Sequence, residues 1–173
     1  MSYFKNIFTT GAFGKTPDRV LKRITDEIIG TDPALVIELG AGKGEITENV
    51  LAKLQKPIPP YFAFEINKSF ASQLRNKFHS ITVLEADALN FDKLTDHQAD
   101  LIICSLPLSF FPKEVRKAFL EKIKNNIKPG GKVIILFHAF WLLPEFKEVF
   151  PVYKLIRIFN MPPYYIIIYR TRL

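Results

Sequence analysis

Apolar positions in this chain fall into two kinds of run, and the two kinds alternate. In TPDRVLKRITDEII, Val20, Leu21, Ile24 and Ile28 recur at helical spacing, so Thr16 to Ile29 reads as a helix with Pro17 and Asp18 in its first turn. ALVIELG, Ala34 to Gly40, is a short apolar run, broken only by Glu38 and closed by glycine, and reads as a buried strand. GEITENVLAKL (44–54) returns to helical spacing and is closed by Pro57, Pro59 and Pro60. The pattern continues through strand YFAFEIN, helix KSFASQLRNKF, strand ITVLEAD and strand ADLIICSL. A helix over PKEVRKAFLEKIKNNI follows, with Pro112 near its start, and then a KPGG turn feeding a fifth strand through VIILFHAF. LPEFKEVF reads as a short helix. VYKLIRIFN and YYIIIYRTRL are two further strands, and the short MPP link between them predicts an antiparallel pair.

Strands that are apolar throughout, alternating with amphipathic helices, predict an α/β domain whose mostly parallel sheet is covered on both faces. The antiparallel hairpin closes it, giving seven strands. At 173 residues the chain fits one domain, 1–173, and 48% hydrophobic with 24% charged residues is a globular balance. Neither a repeat nor a linker interrupts it. In open sheets of this kind ligands bind beyond the carboxyl ends of the strands, near the point where strand order reverses. That rule directs attention to Glu38–Gly44, Glu65, Asp87 and Cys104–Pro112.

The first of these, ELGAGKGEIT, places Gly40, Gly42 and Gly44 between a strand and a helix. Glycines there allow a tight turn and close approach of a ligand to the backbone. The spacing is G-x-G-x-G. The dinucleotide fingerprint needs a further glycine at 45, which is Glu, and P-loop spacing is absent. Glu65 ends the second strand, where a carboxylate can accept from both hydroxyls of a ribose. Asp87 follows the third, where it can accept from an adenine amino group.

VIELGAGKGEIT, FAFEIN, LEADAL and ADLIICSLPL resemble, in order, motifs I to IV of the class I S-adenosylmethionine-dependent methyltransferases, over about half the chain. The resemblance implies a Rossmann-like fold with S-adenosyl-L-methionine as cofactor and S-adenosyl-L-homocysteine as product. It places Glu38, Gly40, Ala41, Gly42, Gly44, Glu65, Ile66, Asp87, Ala88 and Ser105 around that cofactor. An NAD enzyme is the alternative at this level.

The methyl acceptor is read from CSLPLSFFP, Cys104 to Pro112. Its Ser105–Leu108 tetrapeptide resembles the N-L-P-Y of the rRNA adenine N6-dimethyltransferases, with Ser105 in place of Asn and Leu108 in place of Tyr. Leucine offers no π-face for a base, which disfavours nucleic acid as substrate. Bacterial phospholipid N-methyltransferases resemble the chain more closely, through CSLPLSFFP and through NMPPYYIIIYR (160–170). That resemblance implies the amine of phosphatidylethanolamine, or its methylated derivatives, as acceptor. Ser105, Leu106, Pro107, His138 and Tyr165 are the expected catalytic residues. His138, at the end of the fifth strand, is placed to take the amine proton. Tyr164 and Tyr165 are candidates to hold methylated cations against an aromatic face. An rRNA or adenine N6-methyltransferase and a non-catalytic cofactor-binding module are the alternatives.

Charge and the N-terminus bear on the partner. Lys plus Arg number 24 against 17 Asp plus Glu, a net charge of +7 that favours an anionic membrane surface or nucleic acid. SYFKNIF puts Tyr3, Phe4, Ile7 and Phe8 to one side beside Lys5, a pattern suited to lying in a membrane interface. FKNIFTTGAFGKTPDRVL also resembles the N-terminal segment of the phospholipid N-methyltransferases, and that resemblance implies a helical lid and membrane-contact segment over 1–30. WLLPEF, Trp141 to Phe146, is expected to expose a second apolar cluster. The single cysteine, Cys104, sits in an apolar run and is expected to be buried and inert. Three scattered histidines give no metal site. The expected location is the cytoplasm, with peripheral association at the inner face of the membrane.

Overall fold

The computed structural model describes residues 15–95 and 98–172. Its elements run α1 (Asp18–Asp26), β1 (Val36–Leu39), α2 (Glu45–Leu51), β2 (Tyr61–Glu65), α3 (Lys68–Lys77), β3 (Thr82–Glu85), β4 (Ala99–Cys104), α4 (Lys113–Asn125), β5 (Ile127–Phe137), α5 (Leu143–Val149), β6 (Lys154–Ile158) and β7 (Tyr164–Arg170). The seven strands form one sheet in the order β3-β2-β1-β4-β5-β7-β6. β1 to β5 pair in parallel, and β7 lies antiparallel to both β5 and β6.

Both faces of this sheet are buried, which is why the strands read as continuous apolar runs. Val36, Tyr61, Ala63, Ile103 and Ile134 face Val20, Ile24, Val50 and Leu74 of α1, α2 and α3. Ile37, Leu39, Phe64, Ile102 and Ile135 face Phe119, Ile123 and Phe146 of α4 and α5. Fully burying one such side chain contributes about 1.5–3 kcal/mol. The order reverses at β1, whose neighbours are β2 and β4. The carboxyl ends of β1, β2, β4 and β5 therefore open together beside that reversal.

The structure changes several sequence expectations. The KPGG segment lies inside β5 rather than before it. Its partner Ala99 pairs with Ile127 and Leu101 with Lys132, so the segment is a bulge with Gly130 at φ 76°. An additional 3₁₀ stretch, Ala88–Lys93, follows β3, with the Asp87 side chain accepting from the Leu89 N–H at 2.9 Å. In the WLLPEF segment Trp141 and Pro144 are exposed. Leu142, at the end of the 3₁₀ turn Phe140–Leu142, and Phe146 of α5 are buried in the core. Cys104 is buried, and burial pushes its thiol up to about 12. Among the described residues no helix is long and apolar enough to cross a membrane, and no cluster of three or more His, Cys, Asp or Glu could hold a metal. Of the expected lid and membrane-contact segment, 1–30, residues 1–14 lie outside the described residues.

Candidate active site

A cleft of about 340 Å³ opens at the strand carboxyl ends. One wall is the loop after β1. Gly40, Gly42 and Gly44 have φ of 84°, 57° and 84°, a region costly for residues with a Cβ. A Cβ on Gly40 would lie 2.7 Å from Leu106 Cδ2, and one on Gly44 would lie 2.6 Å from Phe78. A Cβ on Gly42 would meet nothing within 4 Å, so its open side faces the cleft it lines. Gly44 caps α2 and packs that helix against α3. It does not line the cleft, and neither does Glu38.

Glu38 acts from below. It is fully buried on the α1–α3 side of the sheet, and its Oε2 accepts from Thr47 Oγ1 at 2.7 Å and Tyr61 OH at 2.6 Å. Its Oε1 has no hydrogen-bond partner among the described residues. Burial pushes the carboxyl up to about 7, against the opposing pull of the Tyr61 and Thr47 bonds. Burial and Glu38 together keep the Tyr61 phenol protonated and donating. Tyr61 and Thr47 were not singled out in the sequence. A tyrosine opening an otherwise apolar strand was the available signal.

Glu65 holds the loop from the side. Its Oε2 accepts the Gly42 N–H at 2.8 Å and its Oε1 accepts the Asn67 N–H at 2.7 Å. Burial raises its carboxyl, and the bonds from Asn67, Gly42 and Ile66 oppose that rise. Each oxygen keeps a second lone pair for a ligand hydroxyl. Asp87 is exposed at the cleft edge, and Ile66, Phe70 and Ala88 add apolar wall. Acceptors, an open glycine backbone and flat apolar sides together suit a ligand carrying a cis-diol and an exocyclic amine, which are the donors of an adenosine.

The loop after β4 closes the opposite wall. Ser105 Oγ donates to the Gly40 carbonyl at 2.7 Å, tying this loop to the glycine loop. Pro107, at φ −76° and ψ 72°, centres an inverse γ-turn in which the Leu106 carbonyl accepts from the Leu108 N–H at 2.8 Å. Arg116 anchors the loop's far end. It donates to the Phe111 carbonyl and holds Glu145 of α5 through two bonds of 2.9 and 2.5 Å. The Glu145 hydrogen bonds raise Arg116, and those of Arg116 lower Glu145.

Beyond β5, His138 lines the cleft and its ring lies 4.1 Å from that of Tyr164. His138 Nδ1 is 2.8 Å from the Pro163 carbonyl. A carbonyl only accepts, so Nδ1 carries the proton and Nε2 the lone pair. Burial lowers His138 below its ordinary value, which keeps the imidazole neutral at pH 7. Burial and Glu45 raise Tyr164. Strand alternation puts Tyr165 on the other face, tilted against Phe137 at 5.4 Å and away from the cleft. Of the fourteen expected site residues, the cleft thus gathers Gly40, Ala41, Gly42, Glu65, Ile66, Asp87, Ala88, Ser105, Leu106, Pro107 and His138, and leaves out Glu38, Gly44 and Tyr165. It also gathers Phe70 and the lip residues Lys15 and Thr16, which the sequence did not signal. The Thr16 N–H donates to Glu45 Oε2 at 2.8 Å.

Comparison with known proteins gives concordant results. The family described as "Methyltransferase domain" matches residues 37–133. An ornithine lipid N-methyltransferase of Singulisphaera acidiphila is 29% identical over 123 residues, 67% of this chain and 64% of that protein. The ribosomal RNA small subunit methyltransferase A of Thermotoga petrophila is 31% identical over 153 residues, 78% of this chain and 56% of that protein. The chain spans 64%, 43% and 46% of the first three curated relatives it matches. Among solved structures, the N-methyltransferase NodS of Bradyrhizobium japonicum with S-adenosyl-L-homocysteine superposes at a TM-score of 0.71. Its identity is 12%, with 88% of this chain and 84% of that chain covered. The T. thermophilus 16S rRNA N2 G1207 methyltransferase with AdoMet and guanosine gives 0.72 at 18% identity, covering 94% of this chain and 45% of that chain. These two likenesses concern the fold. The rRNA methyltransferase relative corrects one expectation, because nucleic acid is no longer disfavoured as a partner. With its G-x-G-x-G loop, its strand-end acidic residues and the 37–133 match, the chain belongs to the methyltransferase domain family, in the class I S-adenosylmethionine-dependent fold.

Proposed function

We propose that this chain transfers a methyl group from S-adenosylmethionine to the amine of phosphatidylethanolamine or its partly methylated derivatives. The observation that carries the reading is the far end of the cleft. A neutral imidazole and a phenol ring, His138 and Tyr164, face walls made by Leu108, Phe111, Phe137 and Leu142. An apolar pocket with one base suits an amine better than a polar base edge. The ornithine lipid N-methyltransferase relative supports a lipid amine.

The residues present fit the cofactor. Glu65 would accept from the ribose hydroxyls and Asp87 from the adenine amino group, while the open backbone of Gly40–Gly42 and the apolar Ile66, Phe70 and Ala88 would hold the rest of the adenosine. When bound, S-adenosylmethionine supplies an electrophilic methyl group on a sulfonium sulfur. The chain supplies the rest. The acceptor arrives mostly as an ammonium, and the apolar walls disfavour that form. His138 Nε2 takes its proton, leaving neutral amine and imidazolium, while Nδ1–H stays on the Pro163 carbonyl. The same walls exclude water. Ser105, bonded to the Gly40 carbonyl, fixes the acceptor loop against the cofactor loop, and Leu106 and Pro107 shape the wall between them. Positioning of this kind provides much of a methyl transferase's acceleration. Tyr164 holds the methylated, cationic product stages by cation–π attraction, about 0.5–2 kcal/mol. Tyr165, on the other face, supports β5 through Phe137. Glu38 holds the glycine loop's flanking elements through Thr47 and Tyr61.

A second reading, methylation of an rRNA adenine, is favoured by the Thermotoga petrophila relative and by the net charge of +7. The test offers labelled S-adenosylmethionine with phosphatidylethanolamine vesicles and ribosomal RNA side by side. Label in the lipid fraction is expected. Label in RNA with none in lipid rejects the proposal in favour of the second reading.

A further inference from the structure

Among the described residues, five large apolar side chains are exposed, from 45% to 96%, around the mouth of the cleft. Phe140 is 59% and Trp141 63% exposed. They follow His138 and Ala139 and precede Leu142, all three on the cleft wall. Phe159 is 84% and Met161 96% exposed. Their loop, between β6 and β7, is held at the same mouth, because Pro163 accepts from His138 and Asn160 Oδ1 accepts from Arg19 Nη2 at 2.5 Å. Phe110, 45% exposed, sits between the cleft-lining Ser109 and Phe111. Single exposed apolar residues are ordinary, but a set drawn from three loops around one opening marks an interaction surface.

Exposed cations border this rim. Lys15 is on the cleft lip, Arg19 is bonded to Asn160 of the β6–β7 loop, and Lys113 follows Phe110 by three positions. Asp18 and Glu114 are the exposed acids beside them. Aromatic and apolar groups ringed by cations match the layering of an anionic bilayer surface. A second copy of the chain on this rim would cover the opening through which the acceptor enters.

We propose that this rim is the membrane-docking surface. Phe110, Phe140, Trp141, Phe159 and Met161 enter the interfacial layer of an anionic bilayer, the cations remain at headgroup level, and the cleft opens directly onto lipid. The inference rests on the lipid-amine reading. It explains how a short headgroup, tethered by acyl chains, reaches His138 without leaving the bilayer.

The chain has one tryptophan, Trp141, so its emission reports the rim in the unaltered protein. The probe is vesicles of phosphatidylcholine with phosphatidylglycerol, free of ethanolamine lipid. Their addition is expected to move Trp141 emission to shorter wavelength, with quenching by lipids brominated in the upper acyl chain. The double variant Phe159→Ser, Met161→Ser is expected to weaken vesicle binding roughly tenfold or more. It should methylate a water-soluble short-chain phosphatidylethanolamine at the wild-type rate. If vesicles move the emission but no amine lipid is methylated, docking stands and the functional reading falls. Vesicle binding that leaves Trp141 unchanged, or no vesicle binding, overturns the proposal. So does emission already shifted in a lipid-free dimer, or a response to ribosomal RNA alone.

Discussion

At the residue scale, the proposed chemistry turns on which groups carry protons. The Pro163 carbonyl fixes the His138 tautomer, and burial keeps the ring neutral. His138→Gln is expected to lower kcat about 10²-fold while leaving cofactor affinity unchanged, measured by steady-state kinetics and calorimetry. Because the His138 value is lowered, wild-type activity should hold as pH falls to 6.5 and decline below it as the ring protonates. The variant's profile should lack that acid limb. Glu38 has the opposite sign. Its carboxyl is raised to about 7, so its contribution to stability is fully present below pH 4.5 and is lost as pH rises toward and through 7. Glu38→Gln is expected to remove that decline, on the order of a few kcal/mol, in urea denaturation at pH 5 and pH 7.5. Glu38 was legible in the sequence as a marker of the glycine loop it precedes, though it lies beneath the cleft and not on its wall. Its depth was not, because Tyr61 and Thr47 reach it only across the sheet and from α2.

At the element scale, the chain's alternation fixes strand and helix identity, since both sheet faces must be covered. It leaves open which side chains a loop turns outward. WLLPEF reads as an apolar cluster, yet Leu142 and Phe146 are buried and Trp141 is left outside. Tyr164 and Tyr165 are adjacent letters, and only the register of β7 against β5, with Phe137 opposite Tyr165, decides which one meets the cleft. KPGG reads as a turn because its proline and glycines break regular pairing. In the sheet the same residues form a bulge. The Arg116–Glu145 clamp between α4 and α5 had no local signal, being 29 residues apart. Both side chains are mostly buried, at 13% and 17% exposure. Arg116→Met is expected to cost about 1–3 kcal/mol in urea denaturation at neutral pH. Glu145 is lowered by its partner, so the clamp's contribution is present above the usual carboxylate range and fades as pH falls below it. The difference between variant and wild type should therefore shrink at pH 3.

At the scale of the whole molecule, one end of the sheet gathers five strand ends, and each brings a different part of the site. β1 brings the glycine loop, β2 Glu65, β4 the Ser105–Phe111 wall and β5 His138, with Asp87 supplied from the end of β3. That convergence was legible because parallel strands separated by helices bring their carboxyl ends to one end of the sheet. The rim was only partly legible, because Phe159 and Met161 are exposed by the β6–β7 loop rather than by any periodic pattern. The proposed reaction depends on Glu65 and Asp87 holding the adenosine of the cofactor. Calorimetric titration of S-adenosyl-L-homocysteine into the full chain and into Glu65→Gln and Asp87→Ala tests it most directly. Each substitution is predicted to weaken binding by roughly 10- to 100-fold. Equal affinity in all three proteins would contradict it.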